Sequence, residues 1–181
     1  MSRTDPAGSA TAAPVAVAVS AEGPRELAAR WSLLPLRVFL GVTFCYAGID
    51  KLADPAFLSA SGPGSLGQLL HSVHGTAGAG WLVDLALRAP AGFGYAIAVG
   101  ELAVGLGTLL GLWSRLAALG GALLSLTFWL TVSWPTDPYY YGNDLAYLLA
   151  WTPLLLAGSP RLSLDALLAE RRRRRGHRIF G

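Results

Sequence analysis

The chain has 181 residues, of which 53% are hydrophobic and only 14% charged, with a mean hydropathy of +0.47. An ordinary soluble domain carries about one quarter charged residues, so this composition excludes a disordered protein or a conventional water-soluble globule and points to a bilayer as the main solvent. The net charge of +3 hides an uneven distribution, because 13 of the 14 basic residues are Arg and seven of them fall within positions 161–178.

Residues 1–32 are rich in Ala, Pro, Ser and Gly and lack a helical or strand period, which predicts a disordered tail. Four apolar segments follow. The first, 35–52, carries Arg37 near its start; the second, 92–113, is interrupted by Glu101 alone. Segments 116–134 and 145–158 hold no charge. A helix of about 20 residues spans about 30 Å of hydrocarbon, so the middle two are long enough, the first is marginal and the last is short. A soluble bundle would place charge on one face every three or four residues, and the third segment has none. The expected fold is therefore all-α: an integral membrane four-helix bundle over residues 33–160, with a cytoplasmic Arg-rich tail over 161–181.

The loop at 53–91 is too long for a simple hairpin connection. Leu66, Leu69, Leu70 and Val73, then Trp81, Leu82 and Leu85, recur at helical spacing. They predict an amphipathic outer segment of one or two helices between helices one and two. Placing both termini in the cytoplasm puts Arg25, Arg30, Arg115, Arg161 and the terminal arginines inside, and only Lys51 and Arg88 outside. Trp31 and Trp113 then mark the inner boundary; Trp81, Trp134 and the three tyrosines 139–141 mark the outer one. The expected location is the plasma membrane, crossed several times.

An intramembrane carboxylate is costly enough to suggest function, and Glu101 lies about 15 Å below the expected outer surface. Gly94, Ala98, Gly105 and Thr108 share its helical face, a small-residue stripe that turns Glu101 toward the bundle. Counting inward from the outer ends brings Thr43, Ser125 and Thr152 to its level, with Arg37 about 7 Å deeper. A Glu101–Arg37 pair is expected, either as an inert packing device or as a proton-handling site. Asp50 and Lys51 close the first helix, and Asp144 opens the fourth; Asn143 or Asp144 can cap it, and Lys51 can pair with Asp144.

The single Cys45 excludes a disulfide framework, a paired-thiol relay and a Cys-rich metal site. His71 and His74 lack a third ligand, so no metal is expected, and no histidine lies in a span to hold haem. Ser163 can cap a short C-terminal helix with Asp165 near its positive end. Five consecutive arginines follow, Arg171, Arg172, Arg173, Arg174 and Arg175. They suit anionic lipid; without interleaved aromatic residues, nucleic acid is not an expected partner.

Leu36-Arg37 with Gly41, Ala47-Gly48-Ile49-Asp50-Lys51-Leu52 with Asp54-Pro55, and Gly100-Glu101-Leu102 with Gly105 form an ordered series of short motifs. Leu110-Gly111-Leu112 with Ser114-Arg115, Tyr141-Gly142-Asn143-Asp144, Ala157-Gly158 and Ser163-Leu164-Asp165 continue it. In this order and spacing the chain resembles the DoxX/DoxD-like family of small four-helix bacterial membrane proteins, over about residues 33–168. One branch of that family is linked to thiosulfate:quinone oxidoreductase, and other members to membrane oxidoreductase complexes and oxidative-stress responses.

The resemblance implies a subunit passing electrons from thiosulfate or a related reductant to quinone. Glu101 and Arg37 would then handle the quinone or its protons, and Lys51, Asp50, Asp144 and Arg115 would serve as binding residues. The chain carries no recognisable motif for an intrinsic cofactor, so a soluble oxidoreductase partner or a second copy is implied beside the quinone. A non-catalytic scaffold for soluble oxidoreductases and a small-molecule transporter are the alternatives.

Overall fold

The computed structural model describes residues 31–158, 163–165 and 168. Nearly all of the expected N-terminal tail and the five consecutive arginines lie outside the described residues. Among the described residues the chain is all-helical, with no strand. Its elements are α1 (Leu34–Ala53), α2 (Leu66–Val73), α3 (Gly80–Leu87), α4 (Pro90–Leu110), α5 (Ser114–Thr131), a 3-10 turn (Tyr139–Tyr141) and α6 (Asn143–Ala157).

Local chemistry sets the boundaries. A proline stands in the first turn of both α1 and α4, where its missing N–H would have no intrahelical partner anyway. Ser65 caps α2, its hydroxyl accepting from the Gln68 amide at 3.1 Å. Helix α4 ends at Gly111 with φ 62°, a left-handed position that glycine adopts without a Cβ clash.

Helices α4 and α5, of 21 and 18 residues, are long and apolar enough to cross a membrane. Helix α6, at 15 residues with Pro153 inside it, extends only about 22 Å. The expected outer helices are α2 and α3, and they pack against each other and the start of α4. Leu66, Leu70 and Val73 of α2 join Val83 and Ala86 of α3 in one apolar cluster, with Phe93 and Ile97 of α4 against it. The buried face of α3 is thus not the one expected, since Trp81 is 68% exposed. Packing chiefly against α2 selects Val83 and Ala86, and the broad apolar surface of so short a helix leaves Trp81 and Leu85 outside.

The main body consists of α1 packed along α4 and α5 packed along α6, joined through α4 and α5. A Cβ on Gly48 would stand 2.7 Å from the Ala98 carbonyl oxygen, and one on Gly105 2.5 Å from the Cys45 amide nitrogen. These glycines let the α1 and α4 backbones touch. Trp151 of α6 lies flat on Gly121 of α5 where any side chain would overlap it. Leu40, Phe44, Val104, Ala118, Ala122 and Leu154 complete the core around that indole.

Candidate functional site: a buried ion pair at an apolar cavity

Glu101 sits midway along α4 and is 3% exposed, on the buried stripe with Gly94, Ala98, Gly105 and Thr108. The inward orientation expected from the small-residue pattern is therefore correct. The expected partner is not. Lys51, in the last turn of α1, places Nζ 2.8 Å from Glu101 Oε2 and donates to Oε1 at 3.0 Å. Arg37 instead donates from Nε to the Thr108 carbonyl at 2.7 Å and from Nη2 to the Leu109 carbonyl at 2.6 Å.

Helix register explains the exchange. Gly48 faces Ala98 and Leu102, Cys45 faces Gly105, and Gly41 faces Leu109. More than one turn of α4 therefore extends past the end of α1, where Gly94 meets Phe57, Leu58 and Leu66. Matching the two helices end to end ignores that overhang and brings Arg37 falsely close to Glu101. Arg37 actually falls opposite the last turn of α4, whose unpaired carbonyls and negative dipole end attract a cation.

The Lys51–Glu101 pair lies on the wall of a cavity of about 320 Å³. Thr43, Phe44 and Ala47 of α1 line it with Ile97 of α4, Phe128 and Val132 of α5, and Tyr147 of α6. Phe57, Leu66 and Leu69 line it on the α2 side, and Asp144 reaches it from the first turn of α6. The family model for DoxX matches residues 32–134, more than half of the chain, and covers α1 to α5 with Arg37, Lys51 and Glu101. The chain belongs to the DoxX family. No curated protein and no solved structure matches it. Family membership and the two long apolar helices identify a membrane-associated protein.

The remaining polar residues of this DoxX protein divide between two ends. Asp144 lies beyond the matched region and pairs with Ser133, whose hydroxyl donates to Oδ2, not with Lys51. Neither Asn143 nor Asp144 caps α6, because the cap position is Gly142. Asp50 is exposed on α1 and does not line the cavity. Arg115 is at the opposite end, its Nη2 donating to the Leu156 carbonyl at 3.3 Å.

Asp165 does not serve its own segment. Its carboxylate accepts from the Trp113 and Ser114 amides at 2.9 and 3.0 Å, so it caps α5, while Ser163 is buried against Gly111. Burial alone would raise the Asp165 pKa, but these amides outweigh it and hold the carboxyl below its ordinary range. His74 meets Asp84 of α3 at 2.7 Å, and no cluster of three or more metal-ligating side chains occurs among the described residues.

Tyr147, Phe57 and Phe128 escaped the sequence reading. The available signal was spacing: Tyr147 lies three residues after Asp144, and Thr43, Ala47 and Lys51 recur every four on α1. Together the walls are mostly apolar and partly aromatic. Lys51 supplies a donor, and Glu101 and Asp144 supply carboxylates that can accept a hydrogen bond or carry a proton.

Proposed function

We propose that this DoxX protein crosses the plasma membrane with α1, α4, α5 and α6, both termini in the cytoplasm, and binds the head group of a membrane quinone in the cavity. It would act as the quinone-binding subunit of an oxidoreductase whose soluble partner delivers electrons from thiosulfate or a related reductant. The observation that carries this reading is an ion pair with a buried carboxylate on the wall of a largely apolar, aromatic cavity. Ionisable groups at membrane depth are costly to keep, which favours a chemical use for them. About 320 Å³ is at the low end for a ligand cavity and suits one ring.

Lys51 and Glu101 fit such a ligand, since quinone oxygens accept hydrogen bonds and their reduction consumes protons. A bound quinone supplies a two-electron, two-proton acceptor. On the protein side, Lys51 Nζ offers a donor and holds the Glu101 carboxylate in place. Glu101 would hold or release a proton at its carboxyl oxygens, and Phe44, Phe57 and Phe128 supply apolar wall beside it. Lys51 and Glu101 are the proposed working pair, with Asp144 as a second carboxylate. Arg37 is bound to α4 carbonyls and takes no part at the ring. The orientation is supported by the count of basic residues in the flanks, with Arg25, Arg30, Arg115, Arg161 and the five terminal arginines on the proposed cytoplasmic side against Lys51 and Arg88 on the other. The terminal arginines would also hold anionic lipid.

Purification in mild detergent, solvent extraction and identification of co-purifying chains test the reading. Bound quinone is expected in the native protein, reduced at least tenfold in Glu101→Gln. A native protein that neither retains quinone nor takes it up on addition overturns it. The orientation is checked separately by thiol labelling after Cys45→Ser: a cysteine at Ser61 should react from outside, and one at Gly176 only after permeabilisation.

A further inference from the structure

The cavity lies behind the weakest seam of the helix body. Glycines bring α1 against α4, Trp151 covers Gly121 between α5 and α6, and Gly120 takes Val104 between α4 and α5. Helices α1 and α6 have no such glycine contact and meet only sparsely. Rings make the crossing. Tyr147 of α6 stacks on Phe39 with centroids 6.2 Å apart and meets Phe44 edge-on at 6.1 Å. Phe39 is 54% exposed and Phe44 only 5%, so the three rings lead from the outer surface of the body to the cavity wall.

We propose that the α1–α6 seam is a lateral portal from the bilayer into the cavity, with Tyr147 as its gate. The ligand class it admits is a membrane-dissolved molecule with a flat, hydrogen-bonding head and a long isoprenoid tail. The inference rests on the quinone reading and extends it to route and specificity. A cavity of about 320 Å³ holds a ring but not a long tail, so the tail must leave through an apolar opening. The seam supplies that opening at the depth of the apolar helix faces. Each helix satisfies its own backbone hydrogen bonds, so rotating Tyr147 opens the part of the seam beside the cavity without exposing an unpaired amide to lipid. Phe44 meanwhile stays edge-on to Trp151 at 5.0 Å and holds the rest of the seam together. Opening α1 from α4 would instead separate backbones in direct contact and pull Lys51 from Glu101.

The test follows the association of two probes with the full chain in lipid nanodiscs by quenching of tryptophan fluorescence. One is a benzoquinone with a long prenyl tail, the other the same ring without a tail. In a Cys45→Ser background, Phe39→Cys and Tyr147→Cys are joined by a bis-methanethiosulfonate linker that reductant removes. Closing the seam should slow association of the tailed quinone at least tenfold, and reductant should restore it. Phe39→Ala, which removes the exposed outer ring of the seam and leaves the cavity lining intact, should speed both association and dissociation several-fold while changing Kd less than threefold. Undiminished association of the tailed quinone through the closed seam overturns the portal. If cross-linking also abolishes binding of the tailless ring, Phe39→Ala decides, and unchanged rates overturn it. Failure of both probes to bind the native protein overturns the quinone reading itself, a distinct result.

Discussion

At one end of the helix body Arg37 donates to the last carbonyls of α4, Arg115 to a carbonyl at the end of α6, and Asp165 accepts from the first amides of α5. At the other end Lys51 turns away from its own helix terminus to meet Glu101 beside an apolar cavity. Charges of the first kind satisfy groups that every helix leaves unpaired, and they need no ligand to explain them. Charges of the second kind meet each other beside the cavity and not a helix end. Ionisable residues that serve helix ends are thereby told apart from those that face the cavity, in a chain where both look alike as isolated charges in apolar segments.

The largest expected effect comes from breaking the cavity pair. Lys51→Met strands the Glu101 carboxylate and should cost about 3 kcal/mol, near the low end for a broken buried pair because Lys51 keeps a side-chain exposure of 25%. Denaturant unfolding in mild detergent measures it. Adding Glu101→Leu should recover most of the loss. Combining Glu101→Gln with Arg37→Gln should instead be additive to within about 0.5 kcal/mol. Strong coupling of Glu101 to Arg37 would erase the distinction between the two ends.

An intermediate effect is expected at the arginine end. Arg37→Met removes two charge-assisted hydrogen bonds to the Thr108 and Leu109 carbonyls and should cost about 2 kcal/mol. Quinone affinity, read by titration, should remain within twofold. A large loss of affinity without a loss of stability would move Arg37 from the structural group to the chemical one.

The smallest effect belongs to Asp165. Asp165→Ala should cost about 1 kcal/mol, the usual value of a lost helix cap. Its folded pKa lies below the unfolded one, so the folded state holds the proton less tightly. The stabilisation is therefore complete above the ordinary carboxylate range and fades as pH falls through it toward the lower folded value. Thermal melts from neutral to acid pH should show the native protein losing its advantage over Asp165→Ala in that window. A constant difference would show that packing, not charge, holds the segment.

Much of the helical framework was legible in the sequence. Apolar runs at 35–52, 92–113, 116–134 and 145–158 became α1, α4, α5 and α6 with ends shifted by three residues or fewer, and periodicity in the long loop anticipated α2 and α3. The small-residue stripe also turned Glu101 inward correctly, because helical phase is fixed within one helix. Lys51, Glu101 and Asp144 all stood out as ionisable residues in or beside apolar segments, before anything brought them to one cavity. The aromatic lining did not stand out, since Phe57, Phe128 and Tyr147 resemble any other apolar side chain in such a composition.

By itself the sequence determined which residues are helical, which face of α4 is buried, and which few charges an apolar setting must accommodate. Propensity, periodicity and composition act within a single segment and need no partner. Tertiary structure alone decided that Lys51 and not Arg37 meets Glu101, that Asp165 caps α5, and that Tyr147 stands at the α1–α6 seam. Those choices depend on how far one helix slides past the next. That offset is set by where glycines admit a neighbouring backbone, and by the packing of α2 and α3 on the first turns of α4. A slide of one turn, about 5.4 Å, exchanges one ionic partner for another.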